Sequence, residues 1–317
     1  MTTRRLGRTD IEITPVGLGC WQFAQGTARY WGTMSAAAIQ DVVAAAREAG
    51  IGWFDTAEAY GSGTSERMLS RSLLSLGATP GTVVIATKWR PWMRTARSLG
   101  ATIERRLECL RPYPIDLHQI HQPASFSPIA AQMKEMTRLL KAGRIRSIGV
   151  SNFSASQMES ANAALAAEGL ALASNQVRFN LLDRRIERNG VLETAKKLGV
   201  TIIAYSPLAQ GILTGKFHED PGAMSKASGL RRIMSRLGPR MLDRTRPLVE
   251  ELRSVARAHG TSSAAVALAW EIGFHGDTVV VIPGATRPAQ VRESAAAGEI
   301  HLSTRELARL DELSRPR

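Results

Sequence analysis

Gly17-Leu-Gly-Cys-Trp-Gln22 runs through the end of the first short apolar run of the chain, residues 16–20, and separates two ways of building an α/β sheet. An open, doubly wound sheet that binds a dinucleotide needs G-x-G-x-x-G after its first strand, the third glycine allowing close helix–strand packing. Here Gln22 stands where that glycine is required, and Gly61-Ser-Gly-Thr-Ser-Glu66 fails at the same place. Seven further runs read as strands: residues 52–55, 83–88, 115–120, 146–150, 174–177, 201–205 and 278–282. Stretches of helical period lie between them, at residues 35–49, 129–142, 157–168, 190–198, 244–258 and 262–273. The first places Ile39, Val42, Val43 and Ala46 on one face and stops at Gly50, a good terminating residue. Strand–helix alternation implies a parallel sheet covered on both faces, and eight repeats imply a closed (β/α)8 TIM barrel of class α/β. Residues 4–14 read as a hairpin around Gly7-Arg-Thr-Asp10, preceding the barrel. The whole chain, 1–317, reads as a single barrel domain with extra helices and one long unpatterned loop at about 206–243.

Composition agrees with that size. The chain has 317 residues, 44% apolar and 22% charged, with two cysteines, so it is neither disordered nor a disulfide-stapled secreted module. No apolar stretch is long enough for a membrane helix, and Glu12 and Pro15 interrupt what a signal peptide would need. A cytoplasmic protein with no membrane partner is expected. Cys20 and Cys109 lack a C-x-x-C partner and read as packed thiols. The net charge of +13 raises nucleic acid as a partner, but the arginines are scattered singly among alanines, as on solvated helix faces. No nucleic-acid partner is expected. One segment differs: Lys226, Arg231, Arg232, Arg236, Arg240, Arg244 and Arg246 face a single carboxylate, Asp243. It reads either as an ordinary surface loop or as a clamp for an anionic ligand. No Cys or His spacing resembles a zinc site, so no metal is expected.

Residues at the C-terminal ends of barrel strands face the active site. The second strand ends at Asp55 and runs on to Tyr60, the third ends at Lys88, and His121 follows the fourth. Three neighbouring strand ends therefore bring a carboxylate, a phenol, an ammonium and an imidazole together. An ammonium about 4 Å from a phenol stabilises its phenolate by at most about 4 kcal/mol at an effective dielectric near 20. Lys88 is thus expected to bring Tyr60 toward the range of a working general acid, with Asp55 keeping Lys88 charged and His121 orienting a carbonyl oxygen. His118 and His121 point to opposite faces of a straight strand and cannot chelate one metal.

Six blocks carry a further resemblance: Phe54-Asp-Thr-Ala-Glu-Ala-Tyr-Gly61 followed by Ser65-Glu66, Asp116-Leu-His-Gln-Ile-His-Gln-Pro123, Gly149-Val-Ser-Asn-Phe153, Asn175-Gln-Val-Arg-Phe-Asn180, Ala204-Tyr-Ser-Pro-Leu208 and Ile282-Pro-Gly284. Together, in this order, they resemble the aldo-keto reductases over nearly the whole chain. The resemblance implies a barrel that binds an extended nicotinamide cofactor, with Asp55, Tyr60, Lys88 and His121 as the catalytic tetrad and Tyr60 as the acid. Ser151, Asn152 and Gln176 match positions that bind the carboxamide, and Tyr205 matches the aromatic that stacks on the nicotinamide. Ser206, Leu208, Gln210 and Gly211 match the segment along the pyrophosphate, continued by Lys216, whose charge suits phosphate. The basic stretch 226–246 then reads as a flap over the phosphates.

Gly284, Thr286, Gln290 and Glu293 match positions around the adenosine, and Arg287 is a candidate for the 2′-phosphate of NADPH. Ser294 stands where the family often has Asn, and Gly284 where many members have Lys, so Arg287 and the loop cations would have to set an NADP preference. NADPH (NADP+) is the expected cofactor, and NADH stays open. Trp21, Trp31, Trp89, Trp92 and Phe153 lie at or just past strand ends, and Trp21, Trp89 and Phe153 are the expected walls of an apolar substrate pocket. Arg29-Tyr-Trp-Gly32 and the long loop are distantly similar to pyridoxal-reducing members. The expected activity is NADPH-dependent reduction of aldehyde or ketone carbonyls to alcohols. The rivals are a non-enzymatic NADPH-binding sensor and a Schiff-base aldolase using Lys88. The sequence leaves the substrate and the oligomeric state open.

Overall fold

The computed structural model describes residues 1–24, 33–220, 222 and 238–315. Two short strands, β1 (Arg4–Arg5) and β2 (Glu12–Ile13), pair antiparallel as the expected hairpin. Eight parallel strands follow: β3 (Leu18–Gly19), β4 (Trp53–Asp55), β5 (Val84–Trp89), β6 (Leu117–Ile120), β7 (Ser147–Ser151), β8 (Ser174–Arg178), β9 (Thr201–Tyr205) and β10 (Val279–Val281). Each lies beside the next in chain order. Parallel bridges from Val16 to Val281 and from Gly19 to Gly284 bring the first and last strands together. Gly17 N donates to Val281 O at 2.8 Å and Val281 N to Pro15 O at 2.9 Å, so the sheet curls round to meet itself. This is the (β/α)8 barrel the alternation implied.

The helices, among the described residues, are α1 (Ala36–Glu48), α2 (Thr64–Ser75), α3 (Arg97–Leu110), α4 (Ile129–Lys141), α5 (Ala155–Ala166), α6 (Val191–Leu198), α7 (Lys216–Glu219), α8 (Pro239–Ala258), α9 (Ser263–Gly273), α10 (Pro288–Ala296) and α11 (Thr304–Ser314). None is long and apolar enough to cross a membrane. Local chemistry sets their ends. Ser154 and Gln157 exchange side-chain and backbone hydrogen bonds in a capping box, which starts α5 two residues before the expected 157. The helix expected at 244 begins at Pro239, because proline suits the first turn, where its missing N–H is not needed. The loop expected at 206–243 is not wholly without structure. It holds the single turn of α7, anchored by buried Phe217, which is too short to show a period in sequence.

Strand alternation divides the core. Trp53, Ala86, Leu117, Ile203 and Val280 point into the barrel and pack on Leu6, Ile11 and Ile13 of the hairpin region. Trp53 fills this floor, its indole N–H donating to Thr14 O at 2.9 Å. Residue 17 must be glycine beneath it, since a Cβ there would lie 2.3 Å from the Trp53 ring. The alternate positions pack outward against the helices in a second, larger cluster. Above this floor, on β4 to β8, the inward positions are polar: Asp55, Lys88, Gln119, Ser151 and Gln176.

One polar group lies outside this order. Helix α9 is buried along its length, and Glu271 within it has no hydrogen-bond partner for either carboxylate oxygen among the described residues. Burial pushes its carboxyl well above the ordinary carboxylate range. The folded chain therefore holds a proton there that the unfolded chain releases above about pH 4.3. The sign follows: stability is highest below that pH and declines as pH rises toward the folded value. Glu271→Met is expected to stabilise the protein by about 1–3 kcal/mol at pH 8 and by less at pH 5, measured by urea unfolding. An equal gain at both pH values would contradict the buried acid.

Candidate active site

The polar storey above the barrel floor is bound together. Lys88 Nζ forms an ion pair with Asp55 Oδ1 and donates to Thr56 O at 2.8 Å. Asp55 Oδ2 accepts from Gln119 Nε2 at 3.1 Å and from Gln176 Nε2 at 2.8 Å. Both members of the Lys88–Asp55 pair are buried. Burial pulls the Lys88 ammonium down, but Asp55 and the Tyr60 phenol outweigh it and hold its pKa above the ordinary lysine value.

Tyr60 and His121 stand above this pair. The Lys88 ammonium lies over the Tyr60 ring, 5.0 Å from its centre. The Tyr60 and His121 rings meet edge to face, 5.7 Å apart at 78°. Both side chains are half-buried, so the site is open at this level. Burial, with Lys88 and Arg90 adding to it, holds the His121 imidazole down to about 3. The ring is neutral at physiological pH and can donate one N–H while staying uncharged. The structure brings all four residues of the expected tetrad together.

One expectation changes. Tyr60 is shifted upward rather than toward neutrality. Burial is the largest cause, and the lowering effect of Lys88 is countered by Asp55. A lysine already neutralised by its own carboxylate cannot acidify a phenol as a lone ammonium would.

The expected cofactor residues line the same end of the barrel. Ser151 Oγ donates to Gln176 O at 2.8 Å, and Asn152 Nδ2 reaches Ser151 Oγ at 3.1 Å and His121 O at 3.3 Å. Tyr205 O–H donates to Asn152 Oδ1 at 3.0 Å, which fixes its half-buried ring at the end of β9. Beyond it the backbone turns left-handed at Ser206 (φ 53°), Ala209 (47°), Gln210 (60°) and Gly211 (90°). Internal hydrogen bonds hold these turns, Ala209 N donating to Ser206 O at 3.0 Å and Gly211 N to Leu208 O at 2.8 Å. Asn180 Nδ2 on Ser206 O at 2.9 Å and Gln210 Nε2 on Ser206 Oγ at 3.1 Å brace the segment. Leu208 is half-buried beside it, and exposed Lys216 opens α7.

At the far end, Gly284 bridges to Gly19 at the rim. The Gln290 side-chain oxygen accepts from Thr286 N at 2.9 Å and Arg287 N at 3.2 Å, which starts α10 with exposed Arg287 at its cap. Glu293 is exposed on the same helix, whereas Ser294 is buried in the packing. Lys226, Arg231, Arg232, Arg236 and Trp31 lie outside the described residues. A groove of about 600 Å3 beside Arg184, Phe274, His275 and Arg315 contains none of the expected site residues.

The substrate walls need correction. Trp21 is half-buried, with its ring 6.4 Å from that of Tyr60, and faces the site. Trp89 and Phe153 are only 1% exposed and belong to the strand–helix layer. Trp89 is adjacent to inward-facing Lys88, so alternation turns it toward the helices, where its N–H meets Ser98 Oγ at 3.1 Å. Sequence reasoning also missed Gln119 and Glu58. Gln119 was legible, two residues before His121 on one strand face. Glu58 was not, because its role depends on a second segment: it accepts from Arg90 N at 2.6 Å and is ion-paired with Arg94.

Comparison with known proteins places this geometry. The model of the Aldo/keto reductase family matches residues 15–315. An uncharacterized oxidoreductase of Mycobacterium bovis is 36% identical over 307 residues, 96% of this chain and 90% of that protein. A chloroplastic pyridoxal reductase of Arabidopsis thaliana is 29% identical over 301 residues, 90% of this chain and 79% of that protein. Among solved structures, an aldo/keto reductase from Klebsiella pneumoniae in complex with NADP and acetate has a TM-score of 0.75 at 27% identity, covering 99% of this chain and 96% of that one.

Proposed function

This chain belongs to the aldo-keto reductase family, and from that membership we propose that it reduces aldehyde or ketone carbonyls to alcohols with NADPH, Tyr60 giving the proton. The observation that carries the reading is the half-buried Tyr60 ring over a buried Lys88–Asp55 pair, with a neutral imidazole edge-on beside it. The Klebsiella relative, in complex with NADP, supports the choice of cofactor. The residues fit such a group: amide-bearing Asn152 and Gln176 with Ser151 at one end, the Tyr205 ring beside them, and the braced 206–211 turns with exposed Lys216 beyond them for the phosphates. Arg287, exposed at the start of α10, is the candidate for a 2′-phosphate.

When bound, the nicotinamide supplies a hydride. The protein's part is positional and electrostatic. His121 donates its N–H to the carbonyl oxygen and holds it against Tyr60. Tyr60, protonated at neutral pH, gives that oxygen its proton as charge develops. Lys88 then faces the phenolate left behind, and its attraction to that charge rises as the proton leaves. The hydrogen bonds of Gln119 and Gln176 keep Asp55, and so Lys88, fixed through the step.

The aldolase reading fares poorly against the same geometry. An amine ion-paired and held above its ordinary pKa is a weak nucleophile. A panel of aldehydes and ketones that includes pyridoxal, assayed with NADPH and NADH in turn, tests the proposal through loss of reduced-nicotinamide absorbance. Turnover with NADPH is expected. Tight NADPH binding with no turnover across the panel would favour the sensor instead.

A further inference from the structure

Arg90 has no place in the proposal above, yet it stands beside the reacting position. It lies two residues beyond Lys88, so strand alternation carries it to the same side one storey higher. Lys88 pairs with Gln119 across β5 and β6, and His121 N donates to Trp89 O at 2.9 Å, so the ladder continues to the strand ends. Arg90 thereby comes level with His121 on the neighbouring strand, and its charge is felt at the imidazole.

Its backbone is fixed while its head group is left over. Glu58 accepts the Arg90 N–H at 2.6 Å, but the same carboxylate is ion-paired with Arg94 and lies 3.6 Å from Arg106 Nη1. The Arg90 guanidinium makes no ion pair among the described residues. It is exposed and faces the Trp92 ring, 5.9 Å from its centre. Around it, Trp92, Met93 and Phe126 are 65%, 69% and 66% exposed. These side chains do not belong to loose, separate loops. Phe126 N and Ser125 Oγ both donate to Arg94 O, at 3.1 and 2.9 Å, and Ala96 N donates to Ser127 Oγ at 2.9 Å. The barrel mouth thus carries a braced apolar rim with the Arg90 cation, unpaired among the described residues, beside the His121 imidazole.

We propose that Arg90 reads an anionic group on the substrate, so that carbonyl compounds bearing a carboxylate or phosphate are preferred over neutral ones. A guanidinium on an aromatic face is suited to planar, two-pronged pairing with such a group. The apolar rim accommodates the carbon body between anion and carbonyl. This inference rests on the carbonyl-reductase reading and names the substrate class of that same site.

Matched probes test it: 4-carboxybenzaldehyde against methyl 4-formylbenzoate, and 4-formylphenyl phosphate against 4-methoxybenzaldehyde. In the wild-type protein, kcat/KM is expected to favour the anionic member of at least one pair, which also identifies the anion. Arg90→Gln is expected to lower that preference roughly 10- to 100-fold, chiefly through KM for the anionic member. Arg90→Lys retains more of the preference than Arg90→Gln, and added salt shrinks it in the wild type. A ratio unchanged by Arg90→Gln overturns the inference while leaving carbonyl reduction intact. If neither member of a pair is turned over, it is the carbonyl-reductase reading that fails. Calorimetric titration of 4-carboxybenzaldehyde into wild-type and Arg90→Gln protein then decides the role of Arg90 alone. About tenfold weaker binding to the variant supports it, and equal binding rejects it.

Discussion

Tyr60→Phe is expected to lower kcat about 10²- to 10⁴-fold, the range a positioned general acid contributes. The substitution removes one oxygen and keeps the ring that meets His121 edge-on and lies near Trp21. Packing and fold should therefore survive, and the melting temperature should stay near the wild-type value. NADPH affinity should also survive, because the expected cofactor contacts run through Ser151, Asn152, Tyr205 and the 206–211 turns. Equilibrium titration with NADPH and single-turnover reduction of one aldehyde separate the two quantities. A parallel loss of binding and turnover would mean that Tyr60 holds the site together and is not its proton source.

Asp55→Asn is expected to cost about 3–5 kcal/mol of folding stability as well as activity. The amide is nearly isosteric, so the loss is electrostatic. Lys88 is fully buried, and Asp55 is its ion-pair partner. One side of the new amide would also present donors to Gln119 or Gln176, which donate to the carboxylate in the native chain. The pH dependence gives a second check. An unpaired buried lysine resists protonation, so its folded pKa falls below the unfolded value near 10.4. The unfolded state then binds more protons, and the stability of the variant rises with pH until about that value. Urea unfolding at pH 6.5 and 9.5 should show the variant recovering part of its deficit at the higher pH. A loss below about 1 kcal/mol, flat with pH, would show that the pair contributes little.

Much of this was legible in the residues themselves. The eight strands could be placed because buried parallel strands leave short apolar runs, and the tetrad followed from reading what stands at their ends. The four side chains of the proposed tetrad are also local to the strands that carry them, so no distant contact is needed to bring them together. What sequence missed depended on three dimensions. Proximity to strand ends suggests Trp89 and Phe153 as pocket walls, whereas alternation from Lys88 turns Trp89 outward. The upward shift of Tyr60 comes from desolvation and from Asp55 cancelling Lys88, and neither is visible until burial is known. Glu58 joins two segments 32 residues apart through Arg90 N, a pairing no periodicity reveals. Helix α7 carries only four residues, less than two turns of pattern.

The hairpin has a consequence for traffic. Leu6, Ile11 and Ile13 pack against Trp53 and close one end of the barrel. The molecule is therefore a cup and not a tube. Whatever reaches Tyr60 must come over the open lip, and the alcohol must leave by the doorway through which the carbonyl arrived. Reactant and product compete for one passage, and the side chains around that lip govern both arrival and departure.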